Sequence, residues 1–135
     1  MLHISSVFEG WQAGGAHVSS KLSAVPVSVR SATLYDLIPL LFADQYLPPS
    51  ALVAYQARLA FFHHIDLIFA ISESARRDAI RMLDIPPDRI VNIRAGASSA
   101  FRHLDSIAPH LAQETLARCG LGSRFILYTG GIDYR

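Results

Sequence analysis

Residues 66–93 read DLIFAISESARRDAIRMLDIPPDRIVNI, and their pattern passes from strand to helix and back to strand. Leu67 to Ile71 is an unbroken apolar, β-prone run, the composition of a parallel strand covered on both faces. Polarity changes abruptly at Ser72. Its hydroxyl can accept a hydrogen bond from an otherwise unpaired N–H of the next turn, and Glu73 adds negative charge at the positive end of the helix dipole. Ala75, Ala79, Met82 and Leu83 then recur at three- and four-residue spacing, with Arg76, Arg77, Asp78 and Arg81 on the other sides, which predicts an amphipathic helix over 73–83. Pro86 and Pro87 stop it, because proline lacks the donor that the next turn needs and biases the residue before it toward extended geometry. A second strand over 89–94 follows. Parallel strands joined in this way cross over right-handedly.

Outward from this unit, three further strands are expected. Leu2 to Ser5 is short, apolar and begins without a lead-in, as though sequence preceded it. Val25 to Val29 and Ala32 to Tyr35 read as one strand interrupted or extended by Arg30 and Ser31, and Arg124 to Thr129 (RFILYT) reads as the last. Pro48, Pro49 and Ser50 introduce a helix to about His64, with Leu52, Tyr55, Leu59 and Phe62 on its buried stripe. A further helix is expected from about Ala108 to Arg118, with Leu111, Thr115 and Leu116 facing inward and Gly120 as its C-terminal stop. In RAGASSAFR (94–102), Gly96 sits where an unusual dihedral is expected and Phe101 where an apolar anchor is. The fold class is therefore α/β, a partial Rossmann-like parallel sheet followed by the first strand of a second domain.

Bulk properties narrow the partners. Of 135 residues, 51% are hydrophobic and 17% charged, richer in apolar groups than an average soluble domain, so part of this surface is expected to be covered by further chain. A formal charge of +1 supplies neither a basic stripe for nucleic acid nor a polybasic patch for a membrane. The single cysteine, Cys119, excludes an internal disulfide framework and fits a reducing compartment, and no run approaches the ~20 apolar residues of a membrane span. A cytoplasmic location is expected. The adjacent His63 and His64 point about 100 degrees apart on a helix and cannot chelate together, and no carboxylate or cysteine stands at ligand spacing, so no metal site is expected.

Three places carry candidate ligand chemistry. The loop Glu9 to Gly15 (EGWQAGG) is glycine-rich, with one carboxylate and the only tryptophan, and reads either as a plain connection or as a place of close backbone approach by a ligand. Tyr35 and Asp36 stand at the carboxyl end of a parallel strand, where open α/β sheets bind ligands, although Asp36 could equally cap the next turn. Gly130 and Gly131 directly follow the last strand, as a tight turn or as the start of a phosphate cradle.

Taken together, HISSVFEG (3–10), TLYDLIPL (33–40), AISESARRDAI (70–80), RIVNIRAG (89–96) and FILYTGGIDYR (125–135) resemble the family 4 retaining glycosyltransferases of the GT-B fold, especially their bacterial mannosyltransferase-like members. The resemblance implies a two-domain enzyme of surface-polysaccharide synthesis, with an acceptor domain, a donor domain and a cleft between them. It makes residues 1–96 the C-terminal half of the acceptor domain, 97–123 the interdomain linker and helix, and 124–135 the first strand and loop of the donor domain. The implied partners are a nucleotide-sugar donor, a glycan or lipid-linked acceptor and the remainder of the enzyme. Peripheral association of that enzyme with the inner membrane face remains open, no cofactor or metal is implied, and the fragment alone is expected to be inactive. Glu9, Gly10, Tyr35 and Asp36 become acceptor contacts, and Gly130, Gly131 and Arg135 donor contacts. Backbone N–H groups and a bidentate arginine would there stabilise the departing diphosphate. The chain departs from the family pattern at Tyr35, where many members have histidine, and at Gly131, which stands at the place of an arginine. No protein nucleophile is evident. The competing reading is a non-enzymatic Rossmann-like interaction module whose apolar surface pairs with another chain.

Overall fold

Four short strands, β1 (Leu2–Ile4), β2 (Arg30–Leu34), β3 (Leu67–Ala70) and β4 (Ile90–Asn92), run parallel and lie side by side in chain order. The structure, a computed structural model, describes residues 1–8 and 25–130. The chain divides into two units, Met1–Ala95, which holds the sheet, and Gly96–Arg135. Between β2 and β3 come two short helices, α1 (Ile38–Leu41) and α2 (Ala43–Tyr46), and then α3 (Pro49–Leu59), which tightens into a 3-10 segment, Ala60–His64. Helix α4 (Glu73–Leu83) joins β3 to β4.

Register decides which side chains meet. Ile4 pairs with Ala32, Ala32 with Ile68 and Ile68 with Ile90, while Leu34 pairs with Ala70, so all six share one face, and all six are buried. Tyr55 and Leu59 of α3, Phe62 of the 3-10 segment, and Ala75 and Ala79 of α4 complete that core. Both crossovers step the same way along the sheet, and right-handed crossovers that step one way place their helices on one side. The result is the Rossmann-like α/β arrangement that residues 66–93 led us to expect. The expectation that β3 is covered on both faces is corrected: Ile68 and Ala70 are buried, but Leu67 and Phe69 on the other face are only half-buried, and Val91 beside them is exposed. That second face also carries His3, whose Nδ1 lies 3.0 Å from Ser31 Oγ and whose Nε2 lies 3.1 Å from Thr33 Oγ1.

Local signals account for most element ends. Ser72 Oγ accepts the N–H of Ala75 at 3.1 Å, the cap expected from the sequence. At the other end of α4 the chain turns at Asp84, in the left-handed region at φ 53°, before the prolines are reached. Residues 25–29 are not part of β2, contrary to expectation. Pro26 has no N–H to give a ladder, and the strand starts at Arg30, whose N–H donates to Asp66 Oδ2 at 2.7 Å.

The second unit contains a 3-10 turn, Leu104–Ser106, and α5 (Pro109–Arg118). Gly120, at φ 66°, follows α5 as the left-handed stop that its position suggested. Other expectations fail here. None of the described residues of this unit is buried, so Leu111 and Thr115 are exposed rather than inward-facing, and Phe101, 79% exposed, anchors nothing. Gly96 takes no positive φ; the left-handed residue nearby is Arg94, at φ 58°. Phe125 to Thr129 forms no strand, and Phe125 to Tyr128 stay exposed. A strand exists only through a ladder with a neighbour, and the described residues of this unit contain no other strand to provide one.

Candidate functional site

Parallel pairing carries the carboxyl ends of all four strands to one edge of the sheet, the edge at which open α/β sheets bind ligands. Tyr35 and Asp36 leave β2 at this edge, as expected. The Tyr35 side chain is 53% exposed. Asp36 Oδ1 accepts the N–H of Ile38 at 3.0 Å and so closes the turn into α1 with one oxygen, one residue ahead of the N-cap position, Leu37. Among the described residues, the second carboxylate oxygen has no hydrogen-bond partner and can receive a ligand hydroxyl.

Helix α3 supports this edge from the core side. Tyr55 is buried, and burial pushes its phenol well above the ordinary range, with the Asp36 carboxylate adding to the rise. Phe8 stacks on Tyr55 with ring centroids 4.7 Å apart and planes 18° apart. One turn further along α3, Arg58 is only 3% exposed, and its Nη1 donates to the Val7 carbonyl at 2.8 Å. The helix therefore fastens the chain leaving β1 and stands in the field of the carboxylate leaving β2.

Across the edge, β3 and β4 end in a polar chain of contacts. Asn92 Nδ2 donates to Glu73 Oε2 at 3.3 Å, and Arg76 Nη1 donates to Glu73 Oε1 at 3.2 Å. Arg76 Nε also donates to the Ile90 carbonyl at 3.2 Å, so this arginine, expected on the wet side of α4, tethers the helix to β4. Asn92 Oδ1 accepts the N–H of Arg94 at 2.9 Å and holds that residue in its left-handed turn. The Asp36 and Glu73 carboxylates, the Asn92 amide, the Tyr35 phenol and the Arg76 guanidinium thus stand along this edge, which offers both acceptors and donors to a polar ligand.

Of the residues singled out from sequence, Tyr35 and Asp36 stand on this rim, while Glu9 and Gly10 lie outside the described residues. Gly130 belongs to the second unit, where the Tyr128 hydroxyl lies 2.6 Å from the place that a Cβ on Gly130 would take. Gly131 and Arg135 lie outside the described residues. Arg58, Asn92 and Arg94 were not anticipated. For Arg58 a signal existed: it is a cation set among Tyr55, Leu59 and Phe62 on an apolar stripe, where a charge must find buried partners. For Arg94 there was none, since arginine has no preference for a left-handed turn. Among the described residues no group of three His, Cys, Asp or Glu side chains converges as metal ligands, and no helix is long and apolar enough to cross a membrane.

No protein-family model matches the chain, and no solved structure matches it. Among curated proteins it is similar to sequences of the serotype-specific mannosyltransferase WbdA of Escherichia coli, 35% identical over 137 residues to one and 34% over 140 residues to two others. Each match takes in the whole of this chain, and the chain spans 16% of the length of these relatives.

Proposed function

We propose that this chain is the acceptor-side part of a glycosyltransferase of the GT-B, family 4 type. It would transfer a hexose, mannose by the similarity, from a nucleotide sugar to a glycan or lipid-linked acceptor in surface-polysaccharide synthesis. The observation that carries the reading is the 34–35% identity along the whole chain to a mannosyltransferase. The position of Asp36 at the ligand-binding edge of the sheet agrees with it. In this role the Asp36 oxygen that does not hold Ile38 accepts a hydrogen bond from the acceptor sugar, and Tyr35 offers a ring face and a hydroxyl beside it. The donor diphosphate would be met by backbone N–H groups at Gly130 and Gly131 and by Arg135, all acting on the charge that develops as it leaves. The nucleotide sugar is a substrate, and no resident cofactor is required by this chemistry.

Transfer needs donor and acceptor held together with water excluded, so the 135-residue chain by itself binds acceptor without turning over donor. Nuclear magnetic resonance titration of the labelled chain with a mannose-terminated saccharide tests the first half, with amide shifts expected at residues 35–38. Incubation with nucleotide sugars and a mannoside tests the second. Absence of any shift would defeat the acceptor assignment, and hexosyl transfer by the purified chain would defeat the division of labour.

A further inference from the structure

The short helices that follow Asp36 lead to an open groove of about 530 Å³, which none of the residues named so far as ligand contacts enters. Its walls include Asp44, Gln45 and Tyr46 of α2, the Pro48–Pro49 pair and Leu52 of α3. The size falls within the roughly 300–1,000 Å³ of small-molecule sites. We propose that this groove is a saccharide subsite, which holds the inner sugars of a neutral oligosaccharide while its terminal sugar meets Asp36. The inference rests on the acceptor reading given above and extends it to an additional binding surface.

The lining chemistry selects the ligand class. Asp44 and Gln45 are exposed, and between them offer a charged acceptor, a neutral acceptor and an amide donor, a set suited to vicinal hydroxyls. Tyr46, the two prolines and Leu52 supply apolar surface for the C–H faces of a pyranose ring. The walls are stiff. Pro48 and Pro49 have fixed φ, the Leu52 N–H donates to the Pro48 carbonyl at 3.0 Å, and Phe42 packs edge-on against Tyr46 with centroids 6.4 Å apart. A preformed wall spares a weakly binding ligand part of the ordering cost. Charge disfavours the obvious competitors: residues 31–57 contain Asp36 and Asp44 and no Lys, Arg or His, so this stretch offers no cationic side chain to a phosphate, a nucleotide or an anionic lipid surface. The exposed side chains of Leu41 and Phe42 do not change this balance, because an apolar contact with a bilayer would carry both carboxylates toward anionic headgroups.

The test uses the ¹⁵N-labelled chain with three probes: methyl α-mannoside, a linear α-mannotetraose, and vesicles of anionic phospholipid. The monosaccharide is expected to shift amides at 35–38 alone, and the tetrasaccharide those at both 35–38 and 44–52. In Asp44→Asn/Tyr46→Leu, tetrasaccharide affinity is expected to fall roughly tenfold, toward that of the monosaccharide, with the monosaccharide response intact. Should Tyr46→Leu disturb the spectrum without ligand, Asp44→Asn/Gln45→Ala, which changes exposed side chains only, carries the same expectation. Tetrasaccharide shifts confined to 35–38, or wild-type affinity in the variants, would overturn the subsite and leave the acceptor reading standing. Silence toward both sugars would overturn the acceptor reading and the subsite with it. A response at 44–52 to vesicles and not to sugar would make the groove a membrane contact instead.

Discussion

Asp36 Oδ1 holds the backbone N–H of Ile38 at 3.0 Å, so the residue at the carboxyl edge of β2 also closes the turn that leads into α1. The two roles use different oxygens and can be separated. Asp36→Asn keeps an Oδ1 acceptor for Ile38 but gives up the charge-assisted bond to a ligand, which is about twice as strong as a neutral one. Its thermal midpoint should stay at the wild-type value, while affinity for a mannose-terminated saccharide falls severalfold. Asp36→Ala should lose the affinity and also about 1 kcal/mol of stability. Calorimetry and titration of the two variants check this, and an asparagine variant that binds like wild type would leave Asp36 with a structural role alone.

Tyr55 gives an alkaline limit. Its phenol is raised by burial and then by Asp36, from an ordinary value of 10.0. The folded state therefore favours the neutral form. The stability linked to Tyr55 is fully present below the unfolded value and is lost as pH rises above it, because the unfolded chain then releases a proton that the folded chain retains. Urea denaturation at about pH 9 and about pH 11 should show a loss in wild type that is smaller in Tyr55→Phe. Equal losses in the two proteins would contradict this linkage.

Arg58 fastens the Val7 carbonyl from inside the core. Arg58→Met keeps much of the aliphatic stem and removes the donor, so a drop of about 1–3 kcal/mol is expected from the deprived buried carbonyl. The measurement is the urea midpoint at unchanged slope. A change below about 0.5 kcal/mol, the scatter of ordinary surface substitutions, would show that the contact contributes little.

Asp84 closes α4 at φ 53°, a region that costs a β-branched residue far more than glycine. Asp84→Gly should be neutral or slightly stabilising, and Asp84→Val should cost about 1–2 kcal/mol. Thermal melts of the pair decide it. If valine is tolerated as well as glycine, the left-handed turn is not what ends the helix.

Helix α4 was legible because everything that makes it lies within a turn or two of the chain: the Ser72 cap, the 3.6-residue spacing of Ala75 and Ala79, and the change from the apolar run before it. The place of Tyr35 and Asp36 at the carboxyl edge of the sheet was legible for a related reason, since parallel strands send their carboxyl ends to one edge. The extent of β2 was read too generously. An apolar run such as 25–29 resembles a strand until Pro26 is weighed as a residue that cannot donate to a neighbour.

The sequence by itself determined the strand–helix–strand order of residues 66–93, and hence a right-handed, parallel α/β unit, because caps, prolines and side-chain periodicity act locally. Only the tertiary structure decided which sheet face is buried, that Arg58 turns inward to Val7, that Arg94 rather than Gly96 takes the left-handed turn, and that Phe125 to Thr129 remains without a ladder. Each of these depends on a partner distant in the chain or on an environment that local residues do not encode. A strand needs a neighbour with open hydrogen-bonding groups, and a buried cation needs an acceptor brought to it by the fold.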